Sequence, residues 1–307
     1  MTVPEALDGR RADQVISSCC GMSRTEAAEH LAAGAVVHAA GRAAGRAVKK
    51  SEKLAAGTEL DIDPPAADDP LEVRVEPVEN LRILHQDEDL VVVDKPVGVA
   101  AHPSPGWTGP TVIGGLLAAG VPISTSGSQE RRGIVHRLDV GTSGVMVVAK
   151  NEQAYSVLKD AFRRRTPTKI YQALVQGLPD PVDGTIDAPI GRHPGHEWRF
   201  AVVEDGRASR THYTLLEAYG RASLMQVQLE TGRTHQIRVH FSALGHPCAG
   251  DLTYGADPGL AAELGLTRQW LHAAELGLTH PRTGEPVTFT SVRPDDLATA
   301  LSILENG

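Results

Sequence analysis

One carboxylate stands apart in this chain. In GIVHRLDVGTSGVMVVAKN (133–151), Asp139 follows His136, Arg137 and Leu138 and precedes Gly141-Thr142-Ser143-Gly144, after which the apolar run Val145–Ala149 begins. The pattern reads as strand, tight polar loop, strand, with Asp139 at the start of the loop and Arg131 and Arg132 just upstream. Loops carried on rigid strands are where reactive groups concentrate. A carboxylate there can attack an electrophilic carbon or take a proton from one. It can also simply cap the turn through an Asx hydrogen bond, and the segment by itself leaves both readings open. In a dry pocket such a group loses its charge unless a cation balances it. Arg238, within QIRVH, is the candidate cation. If QIRVH is a strand, Ile237 and Val239 share one face while Gln236, Arg238 and His240 share the other. The thirteen histidines invite a metal-site reading. His235 and His240, however, fall on opposite faces of such a strand, and no helical HExxH occurs. No metal is expected.

The elements that must carry these groups fall into two parts. Residues 8–63 read as a small unit. It has a helix over 11–20, and a second helix over 23–34 with Ser23 as N-cap, Glu26 at the capping-box position and Gly34 as the stop. Short strands and turns follow, closing on ELDID. PPAADDPLEVRVEP (64–77), Pro-rich and acidic, reads as a linker passing into a strand, and we set the linker at 64–80. Residues 81–307 form the second unit. LVVVDK (90–95) reads as a buried strand and EQAYSVLKDAFRRR (152–165) as an amphipathic helix. IYQALVQG, THYTLLEAY and SLMQVQLE read as further strands. No regular βαβ alternation appears, so an α+β domain on a largely antiparallel mixed sheet is expected rather than a doubly wound fold.

Composition narrows the setting. Hydrophobic residues make up 41% and charged residues 22%, ordinary values for a globular chain. The three cysteines include an adjacent pair, Cys19-Cys20, and offer neither a disulfide framework nor a CxxC metal spacing. No apolar run is long enough to span a bilayer and no signal-peptide core opens the chain. The expectation is a cytoplasmic protein without a membrane partner. A net charge of −8 disfavours polyanion binding at first sight. Yet the 64–80 stretch carries about half of the excess, while Arg163-Arg164-Arg165 with Lys169, and Arg131-Arg132 with Arg137, are local basic clusters. A basic cleft on an acidic protein is physically adequate.

HRLD followed by TSG, with GIV before it, resembles the signature of the RluA/RluD family of pseudouridine synthases. Further segments resemble that family in the same order: ILHQDEDLVVVDKPVGVAAHPSPG (83–106), TKIYQALVQG (168–177), LETGRTHQIRVHFSALGHPCAGDLTYG (229–255) and WLHAAELGLTHPRTGE (270–285). Ordered matches from about residue 81 almost to the C-terminus are far more specific than any single motif. The 8–63 unit resembles the small RNA-binding module named after ribosomal protein S-four, with Arg10, Arg11, Ser23, Arg24, Lys49 and Lys50 as its RNA-facing candidates. The alternative for those residues is a solvated surface.

The resemblance implies an RNA-modifying isomerase. Turning uridine into pseudouridine breaks the bond from ribose to the base nitrogen, rotates the freed uracil and rejoins it through carbon, with no cofactor and no metal. It implies Asp139 as the catalytic carboxylate, Arg238 as its partner, and Tyr171 as the ring on which the base stacks. Arg137 would fill the place of the flipped base or touch phosphate, and His136 would order the loop. Val140-Gly141 departs from the charged pair that many members carry there. Large-subunit ribosomal RNA or a pre-ribosomal particle is the implied partner, with no role for DNA, and a monomer is the default. Three rivals stand beside this reading: a non-catalytic RNA-binding or ribosome-assembly factor, a synthase acting on transfer RNA, and an N-glycosidase. The last would want a second carboxylate near the first.

Overall fold

The computed structural model describes residues 1–22, 24–63 and 71–306, which fall into two compact units, Met1–Pro70 and Leu71–Gly307. The first contains β1 (Arg10–Arg11), α1 (Ala12–Cys20), α2 (Arg24–Ala32), β2 (Val36–His38), β3 (Lys53–Leu54) and β4 (Leu60–Ile62). β1 pairs antiparallel with β3, and β2 with β4. α1 buries Ala12, Val15 and Ile16, the spacing of one helical face, against Leu31, Leu54 and Leu60. It ends at Gly21, whose φ of +70° is the left-handed conformation that glycine adopts without penalty. The expected cap at Ser23 lies outside the described residues. Arg11 and Arg24 converge on the buried carboxylate of Asp13, each at 3.1 Å. Arg10, Lys49 and Lys50 lie exposed.

The second unit runs β5 (Arg82–Gln86), β6 (Leu90–Lys95), α3 (Val112–Ala118), β7 (Ser143–Ala149), α4 (Glu152–Arg164), β8 (Thr168–Gln176), β9 (Asp183–Asp187), β10 (Ile190–His193), β11 (His196–Val202), β12 (Arg210–Ala218), β13 (Ala222–Leu229), α5 (Gln236–Ala243), α6 (Pro258–Glu263), β14 (Leu271–Thr279), β15 (Pro286–Thr290) and α7 (Asp295–Asn306). Its nine-stranded sheet has the order β5-β6-β7-β14-β8-β13-β12-β9, with β15 alongside β14. Every pair in it is antiparallel except β7 with β14. This is the α+β arrangement expected. β6 and β7 are buried on both faces, and alternation divides their side chains between two cores. Val91, Val93, Met146 and Val148 face one. Leu90, Val92, Val145 and Val147 meet Ala154 and Leu158 of α4 in the other. β10 and β11 form a separate hairpin.

Two expectations about local structure fail. QIRVH is a helix, the first part of α5, not a strand. Its Ile-Val-Phe alternation mimics a strand, but every residue from Gln236 to Phe241 is buried, so no polar face is left to reveal the helical period. LEVRV (71–75) forms no strand. It lies as an extended strap along α3, so close that a Cβ on Gly114 would fall 2.1 Å from the Arg74 carbonyl oxygen.

Candidate active site

A cleft of about 570 Å³ opens in the second unit, and Asp139, Tyr171 and Arg238 all line it. Its floor is the main apolar core, which includes Leu138, Tyr171, Leu229, Ile237 and Leu271.

Asp139 begins the loop that enters β7, and that loop is fixed through its backbone. Thr142 N–H closes the turn on the Asp139 carbonyl at 3.0 Å. Beyond Asp139, the Val140 carbonyl accepts from Gly98 N–H at 2.9 Å and faces the Lys95 ammonium at 3.4 Å. Lys95 is 0% exposed and also donates to the carbonyls of Pro96 and Val99. Burial lowers this ammonium to about 7, with the Asp139 charge opposing the shift. The Gly141 carbonyl accepts from Arg268 at 3.0 Å, and Arg268 is itself paired with Asp296 of α7 at 2.7 Å. A Cβ at 141 would lie 2.6 Å from the amide oxygen of the buried Gln269 and would displace that amide, which donates to Thr142 Oγ1 at 3.2 Å. That contact gives the glycine of the unusual Val140-Gly141 pair a packing reason. Upstream, His136 accepts from Val147 N–H at 3.0 Å and stacks on Phe162 at a centroid distance of 4.6 Å. Burial, then the nearby Lys169 charge, pushes its imidazole down to about 3. It works as a neutral brace within the loop. Arg137 is exposed beside it.

Arg238 sits in the first turn of α5 and reaches Asp139 Oδ2 with Nη1 at 3.4 Å. Its main partner is Asp251, bound by Nε at 2.7 Å and by Nη2 at 3.0 Å. Burial alone would weaken its charge, but the bonds to Asp251 and the field of Asp139 outweigh that and raise its pKa. Its guanidinium lies 4.9 Å from the centre of the Tyr254 ring. Asp251 and Tyr254 both belong to the segment GDLTYG, and neither was singled out from sequence. An acid thirteen residues after the arginine was the available signal.

Tyr171 is carried on β8 between β13 and β14. Burial, then the Asp139 charge, raises the pKa of its phenol, so it stays protonated at neutral pH. It offers the cleft an uncharged ring.

Around the mouth lie Arg131, Arg137, Arg163, Arg165, Lys169 and Arg233. Arg163 is paired with Asp160, but Arg137, Arg165, Lys169 and Arg233 make no carboxylate ion pair among the described residues. Burial, then Arg165, brings Lys169 down to about 8. The β10–β11 hairpin adds Phe200, packed edge-on to His235 at 5.8 Å, and a Trp198 that is 62% exposed with Arg199 at 5.0 Å from its ring. Of the two histidines weighed as metal ligands, His235 lines the cleft, while His240 is bound to Thr211 and to the Ala188 carbonyl. Among the described residues, Asp87, Asp89 and His280 could gather a cation away from the cleft. Arg282 already neutralises Asp89, and Asp87 already accepts from His85 and two backbone N–H groups.

Comparison with known proteins places this geometry. The family model described as RNA pseudouridylate synthase matches residues 89–243, a span that holds Asp139, Tyr171 and Arg238. An uncharacterized RNA pseudouridine synthase of Mycobacterium bovis is 59% identical over 304 residues, covering 99% of this chain and 97% of that protein. The ribosomal large subunit pseudouridine synthase D of Nitrosomonas europaea is 46% identical over 231 residues, covering 74% of this chain and 66% of that one. Among solved structures, human RNA pseudouridylate synthase domain containing 4 is similar with a TM-score of 0.58 and 27% identity, over 73% of this chain and 92% of that chain. The chain belongs to the RNA pseudouridylate synthase family.

Proposed function

We propose that this protein isomerises uridine to pseudouridine in large-subunit ribosomal RNA, with Asp139 as the reacting carboxylate on a uridine turned out of its stack. The observation that carries the reading is the placement of Asp139 in a basic-rimmed cleft, ion-paired to Arg238, with the Tyr171 ring in the same wall. Pulling a base out of the stack costs a few kcal/mol, and an aromatic surface plus phosphate contacts offset such a cost. Tyr171 is the stacking surface. Arg137, Arg165, Lys169 and Arg233 hold the backbone, and the Trp198 hairpin extends that contact. The isomerisation balances without a co-reactant: the C1′–N1 bond breaks, C1′–C5 forms, the C5 proton leaves to water and N1 gains one. Asp139 serves it as a nucleophile on C1′ or as a base at C2′, with the Arg238 guanidinium beside it in either case.

Ribosomal RNA is favoured by the similarity to the large-subunit synthase of Nitrosomonas and by the first unit, which we read as a ribosomal-protein-S-four-type RNA-binding module recruiting structured RNA through Arg10, Lys49 and Lys50. The deciding experiment is tritium release from RNA labelled at uracil C5. Asp139→Asn should fold, bind RNA and release none, and release at the wild-type rate would refute the assignment.

A further inference from the structure

Two nitrogen donors face the same oxygen of Asp139. Arg238 Nη1 lies 3.4 Å from Oδ2, and His235 Nε2 lies 3.9 Å from that oxygen. Oδ1 takes no donor from the described residues. His235 is the N-cap residue of α5 and Arg238 lies in its first turn, and the two side chains meet at the carboxylate.

The protonation state of His235 follows from its other side. Its Nδ1 is 2.8 Å from the Tyr254 hydroxyl, which accepts the backbone N–H of Phe200 at 3.2 Å. With that N–H occupying the phenol oxygen, the phenol proton is directed at Nδ1. The neutral ring then carries its own proton on Nε2, pointing at Asp139. The opposite tautomer would set a lone pair against a carboxylate. The charged groups around the ring are Asp139, Arg238, Asp251 and Arg137. Burial and the two arginines lower its pKa while the two acids raise it, with a net shift downward, which keeps it neutral. The backbone is committed as well. His235 has φ +57°, a left-handed conformation that few non-glycine residues adopt and that clusters where a side chain must be aimed.

We infer that His235 is a positioning residue for Asp139: a neutral imidazole, its tautomer set by Tyr254, whose Nε2–H steadies Oδ2 beside Arg238 and so leaves Oδ1 to react. The inference rests on Asp139 being the reacting carboxylate. At 3.9 Å the contact is longer than a hydrogen bond, and steadying Oδ2 requires it to shorten when RNA fills the cleft, as active-site contacts commonly do.

The test uses the full-length protein. ¹⁵N NMR of His235 at pH 7 should show the neutral Nε2–H tautomer, with the Nδ1–H form appearing in Tyr254→Phe. In single turnover with RNA, His235→Phe keeps the packed ring but no donor. It should bind RNA within about twofold of wild type and react at least about tenfold more slowly. His235→Asn, which tolerates the left-handed backbone and offers an amide N–H, should recover part of the rate. An Nδ1–H or charged ring in the wild type overturns the inference, whether or not the variants fold. So does a wild-type rate in His235→Phe when Asp139→Asn, run in parallel, is inactive. A wild-type rate in Asp139→Asn would instead remove the reading of Asp139 beneath it.

Discussion

Arg238 gives Asp251 two short bonds and Asp139 one long one, so the arginine is anchored by Asp251 and only leans on Asp139. Asp251 and Arg238 are both almost fully buried. Removing one member of such a pair typically costs about 3–5 kcal/mol, because the other is left charged without a partner. Asp251→Ala should lose stability of that order in urea unfolding. The double variant Arg238→Met, Asp251→Met should regain most of it while staying inactive. If Asp251→Ala unfolds like the wild type, the anchor is not structural.

Tyr171 combines a stacking face with a protonated hydroxyl. Tyr171→Ala should weaken binding of the target RNA by about 1–3 kcal/mol, the usual worth of one base on one ring. Tyr171→Phe should leave binding within about twofold. If the hydroxyl helps the C5 proton leave, the Phe variant should slow tritium release by about a hundredfold or more. Equal rates in Phe and wild type would confine Tyr171 to stacking.

The basic rim makes a claim about salt. Each phosphate contact removed should shallow the slope of log affinity against log salt by about 0.7–0.9. Arg165→Gln and Arg233→Gln should each do so without changing the rate at saturating RNA. An unchanged slope would take that residue out of the RNA path.

His136 predicts an acid sensitivity. Its pKa is pushed to about 3 when folded, against 6.5 for a free imidazole. Below pH 6.5 the unfolded chain takes a proton that the folded one refuses, so this stability is present above 6.5 and declines toward pH 3. Between pH 7 and pH 5, the wild type should lose about 1–2 kcal/mol more than His136→Gln. Parallel losses in urea unfolding would show that His136 does not remain neutral.

What could be read from the sequence was the α+β fold class and the convergence of three candidate residues. Asp139, Tyr171 and Arg238 do share one cleft. What could not be read was how they are held. Asp251 is an ordinary acid in sequence, and only the chain's return past α5 makes it the partner of Arg238. His235 was weighed only as a metal ligand, with His240 on the opposite face of a strand, whereas it is the N-cap of α5 and its ring lies beside Arg238 at Asp139. The strap at 71–75 alternates Leu71, Val73 and Val75 like a strand, yet its Arg74 carbonyl packs on Gly114 of α3 and the segment does not join the sheet.

The sheet order has a consequence for the life of the chain. β7 and β8 are joined through α4 but do not touch in the sheet, because β14 lies between them. The strand that unites the half bearing Asp139 with the half bearing Tyr171 is therefore synthesised after both, together with Arg268, which clasps the Asp139 loop. Such late, distant pairing is slow to form. A nascent chain that already carries Asp139, Tyr171 and Arg238 but not yet β14 would still lack the strand that joins the two halves of the sheet.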